Sequence, residues 1–189
     1  MIPSFGETLL ALAGLWRFAR EGAPALRWFD RSMAGFWRSF GAAVLVLPLQ
    51  AAVIYSQMQA PADGAGWFRL IAVEASAYVI QWVALPLVLF EIASRLDRLP
   101  GYIDFVILYN WTNVPWLAIS LLVLLLGNLL PDGLMQALTL VLYVTVLSFE
   151  WFIARQTLCL SGLACAGLVA LDFAIMIVVQ STVLALTGG

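Results

Sequence analysis

One carboxylate stands near the middle of a long apolar stretch. It is Asp172, within residues 161–186, SGLACAGLVALDFAIMIVVQSTVLAL. A charge in hydrocarbon is costly, so the rest of the chain must shelter it or use it. At ~1.5 Å per helical residue, Asp172 lies ~17 Å from the start of its stretch. The same arithmetic sets Gln81 ~20 Å, Asn113 ~17 Å and Tyr143 ~14 Å into three other apolar stretches. Gln50 falls near the middle of a fifth. Lipid offers such groups no hydrogen-bond partner, so all five are expected to face one another inside a helix bundle. Two chemistries suit this layer. In one, a neutral Asp172 donates a hydrogen bond within a core polar cluster. In the other, Asp172 titrates while a proton or a small cationic or polar solute crosses. Contact with another subunit is a third use for the group.

Helical spacing gathers further polar residues beside these. Glu74, Tyr78 and Gln81 share one face of the second stretch, and Gln136, Thr139, Tyr143 and Glu150 share one face of the fourth. Asn110 and Asn113 adjoin on the third, just ahead of Pro115, whose missing N–H frees a carbonyl one turn earlier. On the last stretch, Gly162, Ala166, Ala170 and Ala174 form a small-residue ladder that permits close helix approach. Asp172 points mostly away from that ladder.

The elements that must position these groups follow from composition. The chain has 189 residues, 63% hydrophobic, with mean hydropathy +0.99. Soluble domains average roughly 45–50% apolar, so this chain reads as one compact membrane domain. The fold class is all-α: a polytopic bundle of five transmembrane helices with an N-terminal interfacial amphipathic segment. The segment takes residues 1–38 and the membrane domain 39–189. Spans fall at about 40–57, 67–93, 102–126, 134–154 and 161–186, each near the ~20 residues a crossing requires. Turn signals separate them: Pro61 and Asp63 with two glycines at 59–66, then Arg95 to Gly101, then GNLLPDG at 127–133.

All nine basic residues are Arg. With the N-terminus inside, Arg17, Arg20, Arg27, Arg31, Arg38, Arg95, Arg98 and Arg155 share the cytoplasmic side and only Arg69 lies opposite. That asymmetry sets the N-terminus cytoplasmic and the C-terminus outside. Arg in place of Lys throughout suggests a high-GC bacterial genome, hence a bacterial inner membrane. Near the inner surface, Asp104 and Glu150 are expected to pair with Arg95, Arg98 or Arg155.

In the N-terminal segment, Ser4 and Glu7 have capping-box spacing. Leu9, Leu12 and Trp16 then recur at helical spacing. The basic residues follow this run instead of preceding it, unlike a signal peptide. Gly22 and Pro24 end the helix. Phe29, Met33, Phe36, Trp37 and Phe40 mark a second amphipathic piece, and five Arg among aromatics suit anionic headgroups. Packing of the segment on the bundle is the alternative.

Several function classes drop out. With no His and no Lys there is neither the commonest metal ligand nor a Schiff-base lysine. No Walker-type loop, nucleophile elbow or metal-ligand cluster occurs, and the estimated depths keep Glu74 and Asp172 apart. No catalytic role and no cofactor are therefore expected. The net charge of −2 argues against nucleic acid. Cys159 and Cys165 would lie ~9 Å apart along a continuous helix, too far to bridge.

The stretches FDRSMAGFWRSF, ILYNWTNVPWLAI and WFIARQTLCLSGLACAGLVAL, with the spacing from Tyr109 to Pro115 and the small-residue turn into the last span, resemble the Yip1-like membrane protein family and its bacterial branch. The resemblance covers about residues 30–187. It implies a cytoplasmic N-terminal part, five spans and an outside C-terminus. The trafficking role of the eukaryotic members is not implied, because the long soluble N-terminal domain is missing. The resemblance also carries over no functional residues. Two functions are therefore expected in turn. One is a non-catalytic scaffold or accessory subunit that contacts lipid and other membrane subunits or itself. The other is a small transporter or channel built around Asp172.

Overall fold

The structure is a computed structural model and describes residues 3–57, 64–127 and 129–187. All regular structure among these residues is helical. Helix α1 (Phe5–Glu21) opens on a capping box: the Ser4 hydroxyl accepts from Glu7 N–H, and the Glu7 carboxylate accepts from Ser4 N–H. Its buried residues, Ala11, Gly14, Leu15 and Phe18, recur at the three- and four-residue spacing of one helical face. The opposite face leaves Phe5, Leu9 and Trp16 exposed. So the segment packs on the bundle and still presents aromatics outward.

Gly22, at φ 68°, turns the chain into a short 3-10 stretch, Ala23–Trp28. Ser32 then caps α2 (Met33–Ser39). Gly35 is required there: a Cβ would stand 1.8 Å from the Asp30 carbonyl oxygen. Four long helices follow α3 (Gly41–Gln57): α4 (Gly64–Arg95), α5 (Leu99–Leu126), α6 (Asp132–Leu158) and α7 (Gly162–Thr187). Five helical stretches are long and apolar enough to cross a membrane, the first running Met33–Tyr55. The protein is thus a multi-pass membrane protein in contact with lipid. Most of the turn read at 59–66 lies outside the described residues, as does Asn128.

Helix α5 is the hub, packed against α1, α2, α3, α4 and α6, while α7 lies on α4 and α6. The main core joins Phe18, Leu26 and Phe36 of the N-terminal cap to Leu85 and Leu89, to Phe105–Leu108, and to Ile153, Ala154 and Leu158. Phe18 is fully buried and meets Phe149 and Phe152 edge-on. At the far end a small second cluster, Ala77, Val179 and Val183, joins α4 to α7. There Arg69 donates to the Leu186 carbonyl.

Two details depart from expectation. Helix α6 runs to Leu158, four residues beyond the expected span end at 154, and stops where Cys159 adopts a left-handed conformation. On α7 the ladder residues Ala166, Ala170 and Ala174 are exposed. The seam that α7 presents to the bundle is instead Cys165, Leu168, Val179 and Val183. Asp172 sits four residues after Leu168 and seven before Val179, on that same seam.

Candidate functional site

The buried seams of α4 to α7 converge on a partly open cavity of about 230 Å³. Gln50 of α3, Gln81 of α4, Asn113 of α5, Tyr143 of α6 and Asp172 of α7 all line it. Tyr78, Tyr109, Trp116 and Glu150 also contribute to the wall.

Tyr109 links α5 to α7: its hydroxyl donates to the Asp172 carboxyl, 3.2 Å from each oxygen. The carboxyls of Asp172 and Glu150 lie within hydrogen-bonding reach of each other. Glu150 is 4% exposed, and among the described residues no N–H or hydroxyl donates to its Oε1. A buried polar oxygen left unpaired costs roughly 1–3 kcal/mol, more if charged, so the two carboxyls require a proton shared between them or a positive charge beside them. Asn113 does not bridge neighbouring helices. Its amide donates to Tyr109 O of its own helix at 3.0 Å. Trp116 meets Tyr143 edge-on at 5.7 Å between centroids.

Glu150 is the residue that the sequence misplaced. Ending the fourth span at 154 sets Glu150 ~6 Å from the inner surface, among the arginines. With α6 continuing to Leu158, Glu150 lies ~12 Å in, level with Tyr109 and Asp172 at ~15 Å from the starts of their helices. The signal was present in the shared face of Tyr143 and Glu150, seven residues apart. Tyr109 entered only through the resemblance, because a tyrosine amid apolar residues does not advertise a partner.

The expected ion pairs are also corrected. Asp104 pairs with Arg31, not with Arg95, Arg98 or Arg155. Nε to Oδ1 and Nη2 to Oδ2 are both 2.6 Å, a two-pronged contact to a carboxylate that is 6% exposed. The reason is that the N-terminal segment folds onto α5 and delivers Arg31, which a purely lipid-facing segment would leave to headgroups. Arg95 pairs instead with Glu91 one turn away. Arg155 donates to the Leu160 carbonyl. Arg98 precedes α5 without making a side-chain cap.

A second cavity, of about 320 Å³, lies between α1, α2 and α5. Its charged groups satisfy one another: Arg38 contacts both Asp30 and Glu7. Hydrogen bonds from Ser4 hold the Glu7 carboxyl below its ordinary range, and those from Ser32 do the same for Asp30. The central cavity differs in that its described lining residues include two carboxyls and no Arg. Among the described residues no group of three or more His, Cys, Asp or Glu gathers as a metal site would. Comparison with family models, with curated proteins and with solved structures yields no match.

Proposed function

We propose that this protein is a small membrane transport protein whose central cavity takes a cation between Glu150 and Asp172. The supporting observation is that two carboxyls within reach of each other, Glu150 and Asp172, both line a partly open space whose described lining residues include no Arg. Two carboxyls in contact carry at most one negative charge between them unless a cation sits there. The remaining wall groups, Gln50, Gln81 and Asn113, offer amide oxygens to a desolvated positive charge. The cap end, with eight of the nine Arg, is the cytoplasmic end in this reading, and the membrane is a bacterial inner membrane.

Proteoliposomes loaded and diluted across a cation gradient test it. Uptake is expected to fall at least tenfold in both Glu150→Gln and Asp172→Asn, each of which keeps volume and hydrogen-bonding capacity. Uptake equal to that of the unaltered protein in both variants would remove the carboxyl pair from the mechanism.

A second reading, of a scaffold or accessory subunit, is favoured by one observation: the exposed face of Ala166, Ala170 and Ala174 on α7. Such a face suits a closely packed helix from another chain. Ala170→Cys, introduced with Cys159 and Cys165 replaced by Ser, would crosslink between chains in native membranes under this reading. It would stay monomeric if the face meets only lipid. The resemblance to Yip1-like proteins belongs with this second reading.

A further inference from the structure

Resting on the cation-binding reading, we infer that the ligand of the central cavity is a small organic ammonium ion, not a bare metal cation. The walls are the reason. Tyr78, Trp82, Tyr109, Trp116, Tyr143 and Phe173 put six rings around two carboxyls. Ring faces attract a cation through their quadrupole, and the attraction is strongest where water is excluded. A desolvated sodium or potassium ion asks instead for a shell of six or so oxygens at fixed radius. Here the neutral side-chain oxygens in the wall are the three amides of Gln50, Gln81 and Asn113 and the hydroxyls of Thr112 and three tyrosines. One of these, Tyr109, already donates to Asp172, and the rest of the wall beside the two carboxyls is rings and apolar side chains. The Glu150 and Asp172 carboxyls in this wall suit an N–H donor or a diffuse positive charge equally well.

Size agrees. A dry cavity of about 150 Å³ admits benzene, so 230 Å³ holds roughly six to ten non-hydrogen atoms. Anions and zwitterions with a free carboxylate are disfavoured, because no positive group is among the described residues of the wall to receive them. The ring pair Trp116–Tyr143, already edge-on, lines the same cavity as the two carboxyls and supplies its cage side in this reading.

The test is equilibrium dialysis of labelled tetramethylammonium against the purified full chain in detergent, at constant ionic strength. Saturable binding near one per chain is expected, with sodium at equal concentration displacing less than a tenth of it. Trp116→Leu should weaken binding about fivefold, and Trp116→Phe, which keeps a ring, should recover most of that loss. Glu150→Gln should weaken it at least tenfold. Size-exclusion profiles identify any variant that fails to fold, and Tyr143→Leu with Tyr143→Phe then replaces the Trp116 pair. If sodium competes as well as tetramethylammonium and ring removal has no effect, the ammonium inference fails while the cation reading stands. If neither ion binds in a manner sensitive to Glu150, both fail.

Discussion

The two ends of this bundle are built differently. At the end that carries α1 and α2, buried side chains are dense and directed contacts are many. Every buried residue of α6 lies between Glu150 and Leu158, and those of α5 run from Tyr102 to Trp111 with Leu117 beyond. At the other end Leu122, Leu125, Leu140, Val141 and Val144 face outward. There α4 is held to α7 by the small cluster of Ala77, Val179 and Val183 and by the Arg69 contact to the Leu186 carbonyl. In hydrocarbon an outward leucine costs nothing, so helices need not bury it against one another. The cap end sits where lipid gives way to water, and must close itself with packing, caps and ion pairs. The cavity lies where one regime meets the other: Glu150 and Tyr109 in its wall belong to the packed half, and Tyr143 and Met176 to the loose one.

The difference can be broken most visibly with apolar truncations. Phe18→Ala should cost about 3 kcal/mol, because a fully buried ring is lost from a contact with Phe149 and Phe152. Leu140→Ala, 65% exposed at the loose end, should cost less than about 0.5 kcal/mol. Reversible unfolding in mixed micelles reads both; equal costs would erase the distinction. Next come two glycines. A Cβ on Gly101 would stand 2.3 Å from the Thr157 carbonyl oxygen, so Gly101→Ala must push α5 off α6 and should cost about 2 kcal/mol. Gly167→Ala meets nothing within 4 Å and should be neutral or slightly stabilising through helix propensity.

The ion pairs sharpen the same contrast. Asp104→Asn should cost about 1.5 kcal/mol, since it weakens a two-pronged contact on a buried carboxylate whose Arg31 partner is half exposed. Arg69→Gln at the far end gives up an exposed contact to a terminal carbonyl and should cost about 0.5 kcal/mol or less. The smallest effect is on pH. Glu7 and Asp30 have folded pKa values below their ordinary ones, set by Ser4 and Ser32 respectively. Their contribution is therefore present above the unfolded values, near pH ~4, and is lost as pH falls through the folded values. Trypsin or tryptophan-fluorescence probes of the cap should report loosening below about pH 4 that Ser4→Ala and Ser32→Ala shift upward.

Much of this architecture is legible in the residues. Hydropathy and turn signals mark five spans, and the depth of Gln50, Gln81, Asn113, Tyr143 and Asp172 gathers them in one layer. What stays hidden are contacts that depend on where a helix stops and where a segment folds back. Glu150 moved from surface to cavity because α6 continues through Ala154 to a left-handed Cys159, an ending with no glycine or proline to announce it. Arg31 reaches Asp104 only because Gly22 and the 3-10 turn redirect the chain across α5. The α7 ladder shows the converse. Small residues permit close packing without requiring it, and here the buried seam follows Cys165, Leu168 and Val179 instead.

The central claim is that Glu150 and Asp172 act as one unit on one cation. A double-mutant cycle on tetramethylammonium binding tests it most directly, using Glu150→Gln, Asp172→Asn and the combined variant. If the carboxyls share the cation, each single change removes most of the affinity and the second adds little, within about threefold. Losses that multiply independently would show two unconnected carboxyls and contradict the account.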